Sequence, residues 1–330
     1  MVRNGFFFRR RVIQIAAIAT LSALAFVHPH VSSGQDGRTA NKTAPQRFPV
    51  IAYIPEYRFD GLDIAVGERI TELIAFSIEP RPNGELDTSR LGPGVFAKLR
   101  ALKDRHGSRV LVALGGWERS RGFAPIATNA KARAVFASNL TRFCREHRLD
   151  GADIDWEHPA NAAENEGYGA LLAELKHAFA PHGLLLTMAL ADWQDPGALA
   201  YQSVDRIHVM AYDHDGPRHS TFEHAKADLN AFVARGVPKA KLCLGLPFYG
   251  RNSRDGKVEA TYAELVRKEH PAHDVDEAGG FYFNGIDTIK RKTRYANDQG
   301  FGGVMIWELG QDAVGADSLL HAIDDAISKR

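Results

Sequence analysis

Eight short apolar runs separated by amphipathic stretches constrain this chain more than any other feature. They are PVIAYI (49–54), ELIAFSI (72–78), RVLVALGG (109–116), DGADIDW (150–156), LLLTMAL (184–190), DRIHVMAY (205–212), KLCLGLPF (241–248) and FGGVMIW (301–307). Several lack polar alternation, which suits parallel strands covered on both faces. Helical patterns fill the intervals. Residues 91–107 place Val95, Leu99 and Leu102 on one side and stop at Gly107, a natural helix terminator. Residues 129–148 place Ala132, Val135, Phe136, Leu140, Phe143 and Cys144 on one face, and 166–183, 220–236 and 317–329 read similarly. In the longest interval, TYAELVRKEH and DTIKRKTRYANDQG both look helical. Strands alternating with helices predict a parallel sheet, either open and doubly wound or closed into a barrel. Eight units within residues 48–327 favour closure, since such barrels usually take ~250 residues. No GxGxxG or GxxxxGK[ST] follows a strand, which counts against a nucleotide-binding open sheet. The expected fold is α/β, a single (β/α)8 TIM barrel over 48–330.

Charge and cysteine content exclude several function classes. The chain has 41 Lys+Arg, 40 Asp+Glu and two cysteines in 330 residues. Nothing in that balance suggests a nucleic-acid binder, and two cysteines cannot build a thiolate zinc cluster. Residues 1–33 hold Arg3, Arg9, Arg10 and Arg11 and no acid, so the remainder carries a net charge of −3. Val12–Val27 is free of charge but short of the ~20 residues of a membrane span. This pattern reads as an export signal peptide over 1–33, with an uncleaved anchor as the alternative. Residues 34–47 are polar and read as a flexible leader. An exported, periplasmic or secreted protein follows, with no stable membrane span after processing. Cys144 and Cys243 fall in different elements and read as buried small hydrophobes, although export would permit their pairing.

The most informative segment is DGADIDWEHP, Asp150–Pro159. In a strand, alternate residues share a face, so Asp153, Asp155 and Glu157 point one way while Ile154 and Trp156 point the other. On the fourth strand of a barrel the acids would line up inward, toward the C-terminal mouth where barrel enzymes place their chemistry. Three clustered acids cannot all ionise cheaply, because like charge and desolvation both raise their pKa. A retained proton is what a general acid requires. Asp150 has the opposite parity and reads as structural. Asp153, Asp155, Glu157 and Glu164 also stand at positions 1, 3, 5 and 12 of a calcium-loop register, but His158 occupies the position that needs Gly. His158, His214 and His219 lack metal-ligand spacing, so neither metal nor cofactor is expected.

This segment resembles the DxxDxDxE signature of glycoside hydrolase family 18, the chitinases and their relatives, with Asp150, Asp153, Asp155 and Glu157 filling all four acidic positions. VALGGW (112–117) resembles the family's SxGG, with Ala113 where Ser is usual and Gly115 and Gly116 as its structural glycines. VMAYDHDG (209–216) resembles the MxYD motif, and LGLPFYGR (244–251) and GGVMIWELGQD (302–312) resemble strands seven and eight.

The resemblance implies substrate-assisted, retaining cleavage of β-1,4 links beside N-acetylglucosamine, an exception to the two-carboxylate scheme. It implies Glu157 as acid–base, Asp155 as partner of the acetamido N–H and Asp153 as sharing a proton with Asp155. Tyr212 would donate to the acetamido oxygen and Asp213 would contact the same sugar. Trp307 would form the floor, Trp117 a platform on the leaving-group side, and Tyr53 and Phe76 the pocket lining, with Met210 packed beneath. Arg251 reads as structural or charge-balancing. Losing the hydroxyl at Ala113 is expected to hold Asp153 less tightly. The interval 250–300 is too short for the α+β subdomain that many members insert between strands seven and eight, so an open groove is expected. Expected partners are chitin, chitooligosaccharides or another N-acetylglucosamine glycan. Peptidoglycan, an N-glycan core, a catalytically silent lectin and an unrelated metal-dependent barrel hydrolase remain open.

Overall fold

Residues along the apolar runs divide by parity into two buried sets, which is how the strands come to close on themselves. The computed structural model describes residues 47–328. The predicted export segment and residues 34–46 of the leader lie outside the described residues. The barrel strands are β1 (Val50–Pro55), β2 (Glu72–Pro80), β3 (Arg109–Gly115), β4 (Gly151–Asp155), β5 (Leu185–Leu190), β6 (Arg206–Val209), β7 (Leu242–Pro247) and β8 (Gly303–Trp307). Each pairs in parallel with the next, and β1 pairs with both β2 and β8, so the sheet is a closed eight-stranded barrel. A short strand, Leu86–Asp87, pairs antiparallel with the end of β2 outside the barrel.

One parity packs outward against the helices. Val50, Ala52 and Ile54 of β1, Val110, Val112 and Leu114 of β3, and Leu242, Leu244 and Leu246 of β7 belong to this outer core. The other parity fills the barrel. Ile51, Tyr53, Ile74, Phe76, Leu111, Ala113, Cys243 and Met305 form a smaller inner cluster, completed by the buried polar residues Asp153, Thr187 and His208. At the N-terminal end, buried Glu72 accepts from Arg206 and, at 3.3 Å, from Arg109. The register of β2 against β3 shifts between Ala75 and Ile78. That bulge moves Ile78 into the outer core and leaves Phe76 aimed at the mouth, as bulges beside active sites often do.

The helices match the sequence pattern closely. Pro93–His106 ends on Gly107 in the left-handed conformation, φ 68°. Ala130–Glu146 buries Ala132, Phe136, Leu140, Phe143 and Cys144. Val135, expected on that face, is instead exposed, because it lies at the margin of the stripe. Cys144 and Cys243 are both free and buried. Between β7 and β8 the chain forms a four-stranded antiparallel sheet from Tyr249–Asn252, Glu259–Thr261, Glu277–Ala278 and Phe281–Tyr282. Helices Tyr262–Glu269 and Ile286–Asp298 complete the interval. No described helix is long and apolar enough to cross a membrane.

Asp150 shows why a fourth acid precedes the inward three. Its carboxylate accepts the Val110 N–H at 2.8 Å and Lys103 Nζ at 2.7 Å, while its own N–H bonds Val110 O. Asp205 repeats the device one strand pair on, accepting the Leu186 N–H at 2.9 Å and Lys176 Nζ at 2.5 Å. Both acids tie the start of one strand to its neighbour, at the end of the barrel opposite the mouth. Asp150→Ala should lower the unfolding free energy by about 1–3 kcal/mol in urea denaturation, the usual cost of unpairing a partly buried donor. Asp150→Asn should recover part of it. A change below about 0.5 kcal/mol would deny the pair a structural role.

Candidate active site

A cavity of about 630 Å³ opens at the C-terminal mouth, and the inward parity of the strands lines it. Asp155, Glu157, Tyr212, Asp213, Tyr53, Phe76, Met210, Trp117 and Trp307 all border it. Asp153 lies one layer deeper and is fully buried. A second cavity, about 600 Å³, lies on the flank between the loop after β1 and helix Leu319–Ser328. Its acids are occupied in local caps, Asp63 with the Ala65 N–H and Asp312 with Ser318, Leu319 and Leu320.

The three acids differ because their surroundings differ. Asp153 is held from three strands: Tyr53 Oη donates to one oxygen at 2.6 Å, Thr187 Oγ1 donates to the other at 2.5 Å, and His208 Nδ1 lies 3.1 Å from that second oxygen. Ala113 sits directly across from Asp153 in the register of β3 and β4. Ala113 brings no donor to that contact; hydrogen bonds reach Asp153 from β1 and β5, and His208 of β6 lies against it. Asp155 has a buried Oδ1 without a partner. Burial, then the charges of Glu157 and Asp153, push its carboxyl well above the usual range.

Glu157 sits at the rim, half-buried. Burial, followed by the charge of Asp213, pushes it up to about 7, partly opposed by the backbone N–H of Trp117. Its own N–H donates to Ser120 Oγ at 3.1 Å, and that hydroxyl lies 3.0 Å from Gly116 O. The two motif glycines make this approach possible. Both have positive φ, 89° at Gly115 and 93° at Gly116, and a Cβ would fall 2.3 Å from Asp155 O or 2.2 Å from the Phe76 ring. Only glycine suits such positions. Trp156, of opposite parity, stacks on Phe123 in the outer core. Glu164 faces elsewhere: it accepts the Ala160 N–H at 2.8 Å beside the helix cap at Asn161, so the calcium-loop register does not converge on one point. No group of three His, Cys, Asp or Glu among the described residues is arranged to hold a metal ion.

The opposite wall comes from β6 and the loop after it. Tyr212 Oη borders the cavity and donates to the Met305 sulfur, 3.9 Å away, a weak acceptor. Met210 borders the cavity rather than lying wholly beneath it. Asp213, with φ +64°, accepts from Tyr249 and, at 2.8 Å, from Arg251. Arg251 also meets Glu259 at 3.0 Å, in keeping with its charge-balancing reading. The loop is anchored from behind by Lys292, which is wholly buried. Its Nζ donates to Ser220 O, Ser220 Oγ and Asn284 Oδ1 at 3.0, 2.8 and 2.7 Å. Ser220 in turn donates to Ala211 O at 2.7 Å. Burial brings Lys292 down to about 7.

Aromatic rings shape the floor and rim. Trp307 meets the edge of Phe76 at 4.8 Å and Tyr53 at 5.8 Å between centroids. Trp117 and Trp193 are 68% and 62% exposed, unusual for tryptophan and suited to stacking on the C–H face of a sugar. Trp193, Arg119, Ser120, Thr187 and His208 were not anticipated from sequence. Parity alone could have found Thr187 and His208, since His208, Met210 and Tyr212 alternate on one strand. Trp193 and Arg119 lie on loops, where no periodicity points to them. Arg119 forks onto Glu56 at 3.0 and 3.1 Å and covers the Phe76 ring.

A parallel barrel with a graded set of acids at its mouth defines a class of acid–base hydrolase scaffold, and comparison identifies which one. Residues 50–312 match glycosyl hydrolases family 18. The chain is 30% identical to the crystal structure of a family 18 chitinase from the chitin utilization locus of Flavobacterium johnsoniae. That match has a TM-score of 0.77 and covers 86% of this chain and 94% of the other. Two Drosophila melanogaster proteins named probable chitinase 10 and probable chitinase 2 are 27% and 30% identical over 63% and 59% of this chain. The chain spans only 12% and 44% of their lengths. It belongs to glycosyl hydrolases family 18.

The charge of Asp213 beside Glu157 has a measurable sign. A 13C titration of the Glu157 carboxyl should give an apparent pKa near 7. Asp213→Asn removes a like charge and should move it down. An unchanged or higher value in the variant would remove Asp213 as a cause.

Proposed function

We propose that this chain is an exported chitinase-type hydrolase that cleaves β-1,4 links beside N-acetylglucosamine with retention, using the substrate's own acetamido group. One observation carries the reading: a rim acid pushed to about 7 stands above a buried Asp155 oxygen with no partner. The first can carry a proton at neutral pH. The second is an acceptor awaiting a donor, which an acetamido N–H supplies.

The residues then divide the work. Glu157 gives its proton to the glycosidic oxygen as the bond from that oxygen to C1 breaks. The acetamido carbonyl oxygen bonds to C1 on the opposite face, forming an oxazolinium ion. Asp155 accepts the N–H and offsets the positive charge, and Tyr212 Oη donates to the acetamido group to hold it in line. Glu157 next takes a proton from water, whose oxygen attacks C1 and reopens the ring. Two displacements leave a β-anomer. Trp307 is the apolar floor, and Trp117 lies on the leaving-group side. Export rests on the basic and apolar pattern of residues 1–33.

Wild type should release β-anomeric products from chitooligosaccharides, followed by NMR of fresh hydrolysate. Glu157→Gln should lower kcat by at least about 10²-fold, the low end of general acid–base catalysis. Substrate deacetylated at the sugar that becomes the new reducing end should not be cut. Inverted product, or turnover that survives Glu157→Gln, would overturn the mechanism. Tight binding without turnover by wild type would instead establish a lectin. Peptidoglycan fragments and N-glycan cores assayed alongside would assign the natural glycan class.

A further inference from the structure

We propose that His208 is a positioning residue of the acid network: its Nδ1 holds the Tyr53 hydroxyl so that Tyr53 donates to Asp153, where β3 supplies no donor. The inference rests on the proposed hydrolytic function but concerns a residue that neither the motifs nor the mechanism above uses. His208 and Asp153 are both fully buried. His208 Nδ1 lies 2.7 Å from Tyr53 Oη and 3.1 Å from Asp153 Oδ1. The other ring nitrogen is buried without a partner.

Donor accounting sets the tautomer. Tyr53 has one hydroxyl proton, and the shorter contact, 2.6 Å, is to Asp153. A carboxylate only accepts, so that proton belongs on the Tyr53–Asp153 bond. Nδ1 must then be the donor toward Tyr53 Oη, which leaves Nε2 as a bare lone pair. The reverse tautomer would bury an unpaired N–H, with the full desolvation penalty. Asp153 therefore accepts from Tyr53 and Thr187, and His208 acts on it by fixing the Tyr53 hydroxyl, with its ring 3.1 Å from Asp153 Oδ1. In a low-dielectric interior each donor to a charge counts heavily.

The opposite neighbour explains the need. Ala113 pairs with Asp153 across β3 and β4 as Thr187 does across β5. Thr187 brings a hydroxyl to that contact and Ala113 brings a methyl group. His208, on β6, reaches past β5 and fixes the Tyr53 hydroxyl that serves Asp153. An apolar side chain of this size would leave that hydroxyl free to turn away from Asp153.

Four variants test this. His208→Leu removes the donor, and His208→Gln moves an amide N–H toward the Nε2 position. His208→Asn keeps an N–H near Nδ1, and Ala113→Ser in the His208→Leu background offers a hydroxyl from β3. Leu and Gln should lower kcat on chitooligosaccharides by about tenfold to hundredfold, the range for a bond to a charged group. KM should stay within about twofold, since His208 does not touch substrate. Asn should retain most of the rate, and Ala113→Ser should restore part of it.

The acid limb of kcat/KM should also move up in pH, because a carboxylate that loses a donor protonates more easily. The titratable groups facing the ring are Tyr53 from β1, Asp153 from β4 and Cys243 from β7, with the Glu72–Arg206 pair a layer below. Thr187 and Ala189 from β5 and Met305 from β8 do not titrate. A 13C titration of Asp153 in His208→Leu reads the same contact without turnover, and should also move up. Wild type inactive on every glycan would overturn the proposed function while leaving this titration to decide His208. Unmoved rate, acid limb and Asp153 titration in Leu and Gln would overturn the positioning role. So would Asn failing as badly as Gln. If Leu does not fold, the Asn–Gln contrast decides.

Discussion

A carboxylate in the middle of a barrel is tolerable only if donors from other strands surround it. Asp153 imposes that condition on β1, β5 and β6 together. Tyr53, Thr187 and His208 answer it, and the layer they form separates a salt-bridged base from an open mouth. Burial, the charge of Glu157 and then the charge of Asp153 keep Asp155 from ionising easily. Burial and the Asp213 charge in turn push Glu157 up at the rim, where the chemistry needs a proton. The gradient from Asp153 to Glu157 is one electrostatic arrangement rather than three separate acids.

The mouth is shaped by backbone features as much as by side chains. The bulge in β2 sends Ile78 to the outer core and leaves Phe76 at the mouth, and two left-handed glycines let β3 fold against Asp155 and Phe76. Lys292 fixes the far wall by gathering Ser220 and Asn284. Its contacts are to Ser220 and Asn284, and Ser220 reaches Ala211, so its effect on the site passes through the loop. The antiparallel sheet between β7 and β8 supplies Tyr249 and Arg251, which hold Asp213, and Glu259, which pairs with Arg251. That interval thus does local electrostatic work within a short length.

Much of the site was legible because the barrel uses two simple periods. Parity along Asp150–Glu157 separated the structural Asp150 from the inward acids and sent Trp156 to the outer core. The same parity would have exposed Thr187 and His208, but a lone His or Thr in an apolar run looks like a satisfied core residue. Val135 was misplaced for a related reason: helical periodicity gives a stripe, and its margin is set by what packs against it. Ala113 was read as a missing donor to Asp153, and that deficit has meaning only once neighbours from distant strands are known. Trp193 and Arg119 sit on loops, which carry no period.

By itself the sequence determined the barrel, the strand bearing the acids, the direction each acid faces and the family motifs. All of these follow from local spacing, because strand parity and helix periodicity are written residue by residue. Tertiary structure alone decided which carboxyls burial pushes up, which oxygen lacks a partner and who holds Asp153. Those properties depend on burial and on groups 34 to 100 positions away in the chain, and only closure of the barrel brings them within hydrogen-bond reach.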